Sequence, residues 1–207
     1  MKRTCSYTIA ILLVVGFLLS SGCGSTVQTR YYALGPITDV GQRQTDTAQQ
    51  CPLVGIGTVK LPKYLDRPQI ATNSGDNEIL LSEENRWIEP LSQSFPRVLA
   101  RNLYSLVCTR NVLIYPWRAS VKPDYVVDIE VMRMEGTPAT GLFMEARWSV
   151  TKSGESSPPW RWSTLKEPTG SNSYEGYVRA HSKATGNLSI EIAKAIEGLS
   201  RDVNAIK

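Results

Sequence analysis

Two runs of strict alternation constrain this chain more than any other feature. Between Asp124 and Glu135, the residues Tyr125, Val127, Ile129 and Val131 fall on one side, with Asp128 and Glu130 on the other. Between Leu142 and Val150, Leu142, Met144, Ala146, Trp148 and Val150 are set against Glu145, Arg147 and Ser149. A period of two with one apolar face is the pattern of half-buried strands, and the closeness of the two runs makes them antiparallel neighbours. Trp160–Lys166, after the loop TKSGESSPP, adds a third strand, so the three form a meander.

The period then changes. From Tyr174 to about Val203, Tyr177, His181, Ala184, Leu188, Ile192, Ala195 and Leu199 share one helical face, while Glu191, Lys194, Glu197 and Arg201 lie mostly off it. This predicts a long amphipathic helix covering the sheet. A second helix is expected after Pro90, with Phe95, Leu99, Leu103 and Leu106 on one face. Pro90 suits a first-turn position and Pro96 does not suit an interior one, so a kinked helix from about residue 90 and a helix beginning near Ser94 both stand. Further strands are expected at Leu53–Leu61, where Val54, Ile56 and Thr58 alternate with Gly55 and Gly57, at Gln69–Thr72, at Glu78–Leu81 and at Val112–Tyr115. The glycines of the first suggest close backbone approach. The expected class is α+β, mixed layers, with a mainly antiparallel sheet under two main helices.

The N-terminus sets the compartment. Lys2 and Arg3 precede an uncharged apolar run, Ile9–Leu19, and Ser20, Ser21 and Gly22 lead into Cys23. That run is too short to span a hydrocarbon core, which needs about 20 apolar residues, and reads as a signal peptide. A cysteine behind small residues resembles the bacterial lipobox, although Ser20 stands where an aliphatic residue is usual. Residues 1–22 are therefore expected to be removed and Cys23 to carry a diacylglyceryl group and an acylated N-terminus, an anchor that needs no transmembrane helix. Gly24, rather than Asp, after the cysteine resembles the usual sorting pattern for the outer membrane, which is the membrane expected.

Residues 23–50 are expected to be a lipidated tether with one strand embedded near Tyr31–Leu34 and a mobile loop after Pro36. Residues 51–207 should form a single globular domain. Removing Lys2 and Arg3 from the 23 basic side chains leaves 21 against 19 acidic ones, a net +2. No basic cluster appears, which argues against a nucleic-acid partner. Of the 4 cysteines, Cys5 leaves with the signal peptide and Cys23 is lipidated, leaving Cys51 and Cys108. A disulfide and two small buried thiols are both open readings.

Catalytic constellations are absent from the sequence: it has no His-Glu-x-x-His pair, no Gly-x-Ser-x-Gly elbow, and no phosphate-binding glycine loop. The single histidine, His181, lies on the apolar face of the last helix, where a hydrogen-bonded core role outweighs that of a general base. Asp128, Glu130 and Glu145 read as a solvated strand face balanced by Arg147, not as a glycosidase pair. No metal site and no cofactor are expected. The 5 tryptophans include Trp160 and Trp162 on one strand face, which points to part of the set being core.

Four motifs occur in order: Tyr31-Tyr32-Ala33-Leu34, Leu61-Pro62-Lys63-Tyr64-Leu65-Asp66-Arg67-Pro68-Gln69-Ile70, Arg86-Trp87-Ile88-Glu89-Pro90-Leu91 and Tyr115-Pro116-Trp117. Together they resemble the ABC-type transport auxiliary lipoproteins, which accompany membrane proteins with mammalian-cell-entry (MCE) domains. The resemblance implies a non-enzymatic lipoprotein on the periplasmic face of the outer membrane that docks on an MCE protein and assists lipid movement, with phospholipid as a candidate cargo. It also brings in a symmetric homo-oligomer, as a ring matching a hollow partner. Pro62 and Pro68 bracket a fixed connection, so Tyr64, Leu65, Asp66 and Arg67 are candidates for a rigid contact loop, with a purely structural connection as the other reading. A subunit of another outer-membrane assembly or pore ranks second, because no loop has the alternating apolar ribbon of a barrel strand. A periplasmic hydrolase ranks third.

Overall fold

Strand pairing divides the chain into a five-stranded and a three-stranded sheet, both mixed. The computed structural model describes residues 28–37, 51–75, 77–156 and 158–205. The signal peptide, Cys23 and the loop expected at 38–50 lie outside the described residues. The larger sheet has the order β5-β2-β6-β7-β8, with β2 Leu53–Lys60, β5 Asn111–Ile114, β6 Tyr125–Thr137, β7 Gly141–Lys152 and β8 Arg161–Glu167. The smaller has the order β1-β4-β3, with β1 Arg30–Tyr32, β3 Gln69–Ser74 and β4 Glu78–Trp87. Helix α1 runs Leu91–Leu106 and α2 runs Tyr174–Ala205. The α+β class, the two helices and the β6-β7-β8 meander are as expected.

The meander places each alternating set where its period requires. Tyr125, Val127, Ile129 and Val131 are buried, and so are Leu142, Met144, Ala146, Trp148 and Val150. In β6 the register shifts between Val131 and Arg133. Without that bulge, Arg133 would follow Val131 into the core; with it, Arg133 stays outside and Met134 is buried instead.

A second irregularity corrects the reading of β2. Its pairing with β6 shifts between Ile56 and Val59, so Val59, not Thr58, continues the inward set after Val54 and Ile56. Thr58 is exposed, and its N–H donates to Asp128 Oδ1 at 2.7 Å. The close approach expected at the glycines is present. A Cβ on Gly55 would lie 2.8 Å from Pro123 Cγ and 2.9 Å from Trp117 Cη2. Pairing with β5 and β6 is parallel, so β2 is an interior strand that joins β5 to the meander.

Helix α1 starts at Leu91 behind Pro90, which settles its N-terminus, and Pro96 is accommodated within it. Phe95, Leu99 and Leu103 are fully buried. In α2, Tyr177, His181, Ala184, Leu188, Ile192 and Ala195 are buried on the predicted face. The helices pack together, with Asn102 Nδ2 of α1 donating to Ser189 Oγ of α2 at 3.0 Å inside the core.

The strand embedded near Tyr31 is β1, parallel to β4. The chain beyond it is fastened to both helices: Leu34 is buried, the Gly35 N–H donates to Ser182 Oγ at 3.0 Å, and the Ile37 N–H donates to Asn102 Oδ1 at 3.0 Å.

Candidate functional site

The helices cover one face of the five-stranded sheet; the other is packed under Trp117 and Pro123 at Gly55 and is open farther along the meander, where Trp160 and Trp162 are exposed. The Pro62–Pro68 connection borders that open face. It folds as a 3-10 turn over Lys63–Leu65, begun by Pro62, whose fixed backbone geometry suits the entry to a turn. Leu65 is buried in the core and holds the turn down. Tyr64 is half-buried, and its hydroxyl accepts the Met134 N–H at 3.2 Å and donates to Glu135 Oε1 at 3.4 Å. Burial pushes the Tyr64 phenol above its ordinary value of 10.0, opposed by the Met134 N–H, so it remains a neutral donor.

Asp66 and Arg67 are exposed. Ser92 Oγ, one residue into α1, donates to the Asp66 carboxylate. Of the four candidate contact residues, then, Tyr64 and Leu65 face the protein, whereas Asp66 and Arg67 face outward from a turn whose inner side is packed. Beside them lies an open cleft of about 530 Å³ lined by Val59, Leu61, Lys63, Asp66, Ser92 and Met132. Ser92 and the bulged Met132 complete this site from α1 and β6. Nothing in their local sequence singles them out, since only tertiary packing brings them to the loop.

The open sheet face is both ionic and aromatic. Arg147 donates to Glu130 Oε2 through Nε at 2.8 Å and places its guanidinium carbon 5.1 Å from the Trp160 ring centroid. Trp162 stands opposite Arg147 in register. Arg133 and Lys166 flank the Phe143 ring at 5.3 and 5.9 Å. Part of the tryptophan set is core, as expected, but through Trp87 and Trp148, which are buried; Trp160 and Trp162 are 42% and 59% exposed. Trp160 precedes β8 and Trp162 lies on it at the sheet edge, and both take the face opposite α2.

Of the residues weighed for catalysis, His181, Asp128 and Glu130 have structural partners. His181 is 1% exposed, with its ring 4.5 Å from that of Tyr177 and 5.3 Å from that of Trp87. Its Nδ1–H donates to the Tyr177 carbonyl at 2.9 Å, and burial lowers its pKa to about 4, so it is a neutral core side chain. Asp128 accepts the Thr58 N–H and Glu130 is held by Arg147. Among the described residues, no group of three His, Cys, Asp or Glu side chains is placed to hold a metal. No described helix is long and apolar enough to cross a membrane.

Cys51 is buried before β2 and Cys108 follows α1. Their Cα atoms are 5.5 Å apart, within the span of a disulfide. Thr109 Oγ1 donates to the Pro52 carbonyl at 2.8 Å, so the two segments are also joined beside the cysteines. The Tyr115-Pro116-Trp117 motif follows β5, with Tyr115 63% exposed and its ring 5.5 Å from that of Trp117.

Comparison with known proteins gives the family. No curated protein matches the chain. A crystal structure of an uncharacterized protein is 18% identical, with a TM-score of 0.65, covering 82% of this chain and 99% of its own. Protein XCC0632 from Xanthomonas campestris, of family DUF330, is 16% identical, with a TM-score of 0.61, covering 84% of this chain and 99% of its own. These likenesses show a shared fold. The family model of the ABC-type transport auxiliary lipoprotein component matches residues 32–193, a stretch that contains both sheets except the first residues of β1, all of α1 and most of α2. The chain therefore belongs to the ABC-type transport auxiliary lipoprotein family.

Proposed function

We propose that this chain is a non-enzymatic docking component of an ABC-type lipid transport system, held to the periplasmic face of the outer membrane by lipid on Cys23, and that it binds an MCE-domain protein. Family membership supplies the transport context. The docking reading is carried by the Pro62–Pro68 turn, where buried Leu65 and half-buried Tyr64 hold exposed Asp66 and Arg67 in place beside an open cleft. A contact set on a preformed support loses little conformational freedom on binding. The ionic and aromatic sheet face beyond Met132 extends the same surface and suits a partner with both polar and apolar groups. Phospholipid is the proposed cargo of the system. A homo-oligomeric ring is the proposed arrangement, because it presents several copies of one turn to a hollow partner.

The test is a crosslinking pull-down of the lipidated protein from its own membranes, comparing the natural chain with an Asp66→Ala/Arg67→Ala variant. An MCE-domain protein should be recovered with the first and lost or strongly reduced with the second, at unchanged thermal stability. Recovery of an outer-membrane barrel or secretion component in its place would replace this reading with that of an assembly subunit.

A further inference from the structure

The position of Cys23 in the sequence and the length of α2 together assign an orientation to the domain. Gln28 lies five residues after Cys23, and five residues of fully extended chain span at most about 18 Å. A lipid on Cys23 thus keeps Gln28 within that distance of the anchor. Gln28 lines a cleft of about 900 Å³ with Arg30, Tyr32, Asn85, Ser173 and Tyr174, so this end of the domain is also the N-terminal end of α2.

The other end of α2 is far away. At 1.5 Å per residue, Ser200 stands about 39 Å along the axis from Tyr174. Ser200 Oγ donates to the Tyr125 hydroxyl at 3.2 Å, and the Ser153 N–H donates to the Asp124 carbonyl at 2.8 Å. The Leu53 N–H donates to Asp124 Oδ2 at 2.7 Å, which brings Cys51 and Cys108 to this same far end. A link of about 18 Å covers less than half of the α2 span.

The near end also has the chemistry of a membrane-apposed surface. Tyr31 is 60% exposed, and Tyr32 and Tyr174 are half-buried beside it. Tyrosine combines an apolar ring with a polar tip and suits the headgroup layer. Arg30 is offset by Glu84 and Glu175 in the same cleft, so the surface has no strong field of one sign. That balance fits a predominantly zwitterionic bilayer, without dependence on anionic lipid.

We propose that the surface formed by Gln28–Tyr31, Asn85 and Tyr174 faces the lipid headgroup layer, with the Cys51–Cys108 end directed away from the bilayer. The proposal rests on the lipid-anchored reading of Cys23 and adds to it a defined face.

The experiment uses the full lipidated chain in vesicles rich in phosphatidylethanolamine, with a nitroxide attached through Tyr31→Cys or, as the far-end reference, through Ser153→Cys. Both positions are exposed or lie in a turn, so the fold is retained. A nickel-chelating lipid in the vesicles serves as the relaxing agent, and lipid on Cys23 is checked by mass. Relaxation severalfold stronger at position 31 than at position 153 is expected. Equal relaxation at the two positions, or stronger relaxation at 153, in protein that floats with the vesicles would overturn the orientation and leave the anchor intact. A bare Cys23 thiol with no flotation would overturn both.

Discussion

The Tyr64 hydroxyl accepts the main-chain N–H of Met134 at 3.2 Å, across a sequence gap of 70 residues. This contact ties the turn to β6 immediately after the bulge that keeps Arg133 out of the core. It separates the two roles of the LPKYLDRP segment: Tyr64 and Leu65 fix its position, and Asp66 and Arg67 are what it displays. Tyr64→Phe should therefore cost about 1 kcal/mol of stability, because the Met134 N–H loses its partner. Urea unfolding checks this. A Tyr64→Phe protein as stable as the natural one would remove the anchoring role of the hydroxyl.

His181 gives the protein an acid-sensitive core. Its pKa in the folded state is about 4, against an ordinary 6.5, so the unfolded chain binds the proton more readily between these values. Its stabilising effect is fully present above about pH 6.5 and is lost as pH falls toward 4, a change of about 3 kcal/mol. Replacing the side chain by a non-titrating ring of similar size, His181→Phe, should flatten that part of the pH–stability curve. An unchanged slope between pH 6.5 and 4 would assign the acid sensitivity to other groups.

Cys51 and Cys108 are separated by 57 residues in sequence. Closing a loop of this length restricts the unfolded chain by about 4 kcal/mol in the chain-entropy account. Reduction, or the Cys51→Ala/Cys108→Ala pair, should lower the unfolding free energy by that order. Mass analysis without reductant should find the two cysteines joined; two free thiols in protein taken from the periplasm would refute the bond.

The tryptophans of the meander should divide sharply. Trp148 is 3% exposed and donates through Nε1 to Ser163 Oγ at 2.8 Å, so Trp148→Ala should cost about 3–5 kcal/mol. Trp162, opposite Arg147 on the outer face, is 59% exposed, and Trp162→Ala should change stability by less than about 0.5 kcal/mol. Thermal unfolding of the two variants distinguishes them, and a comparable loss in both would place Trp162 in the core after all.

The candidate contact turn was visible in sequence because prolines act locally: Pro62 and Pro68 forbid a continuous strand whatever surrounds them. The inward direction of Tyr64 was not visible, because its partner lies on β6. The same division runs through the fold. Periods of two and of 3.6 residues are set by backbone geometry, so Tyr125–Val131, Leu142–Val150 and the Tyr177–Ala195 face of α2 declared their strands, helix and core sides from the sequence alone. Tertiary structure decided the parallel insertion of β2 between β5 and β6, the exposure of Trp160 and Trp162, and the exchange of Val59 for Thr58. It also decided the bulge that turns Arg133 outward. Each of these depends on a neighbour distant in sequence: a bulge arises when one strand must match the register of another, and an aromatic side chain is covered only if a second layer reaches it.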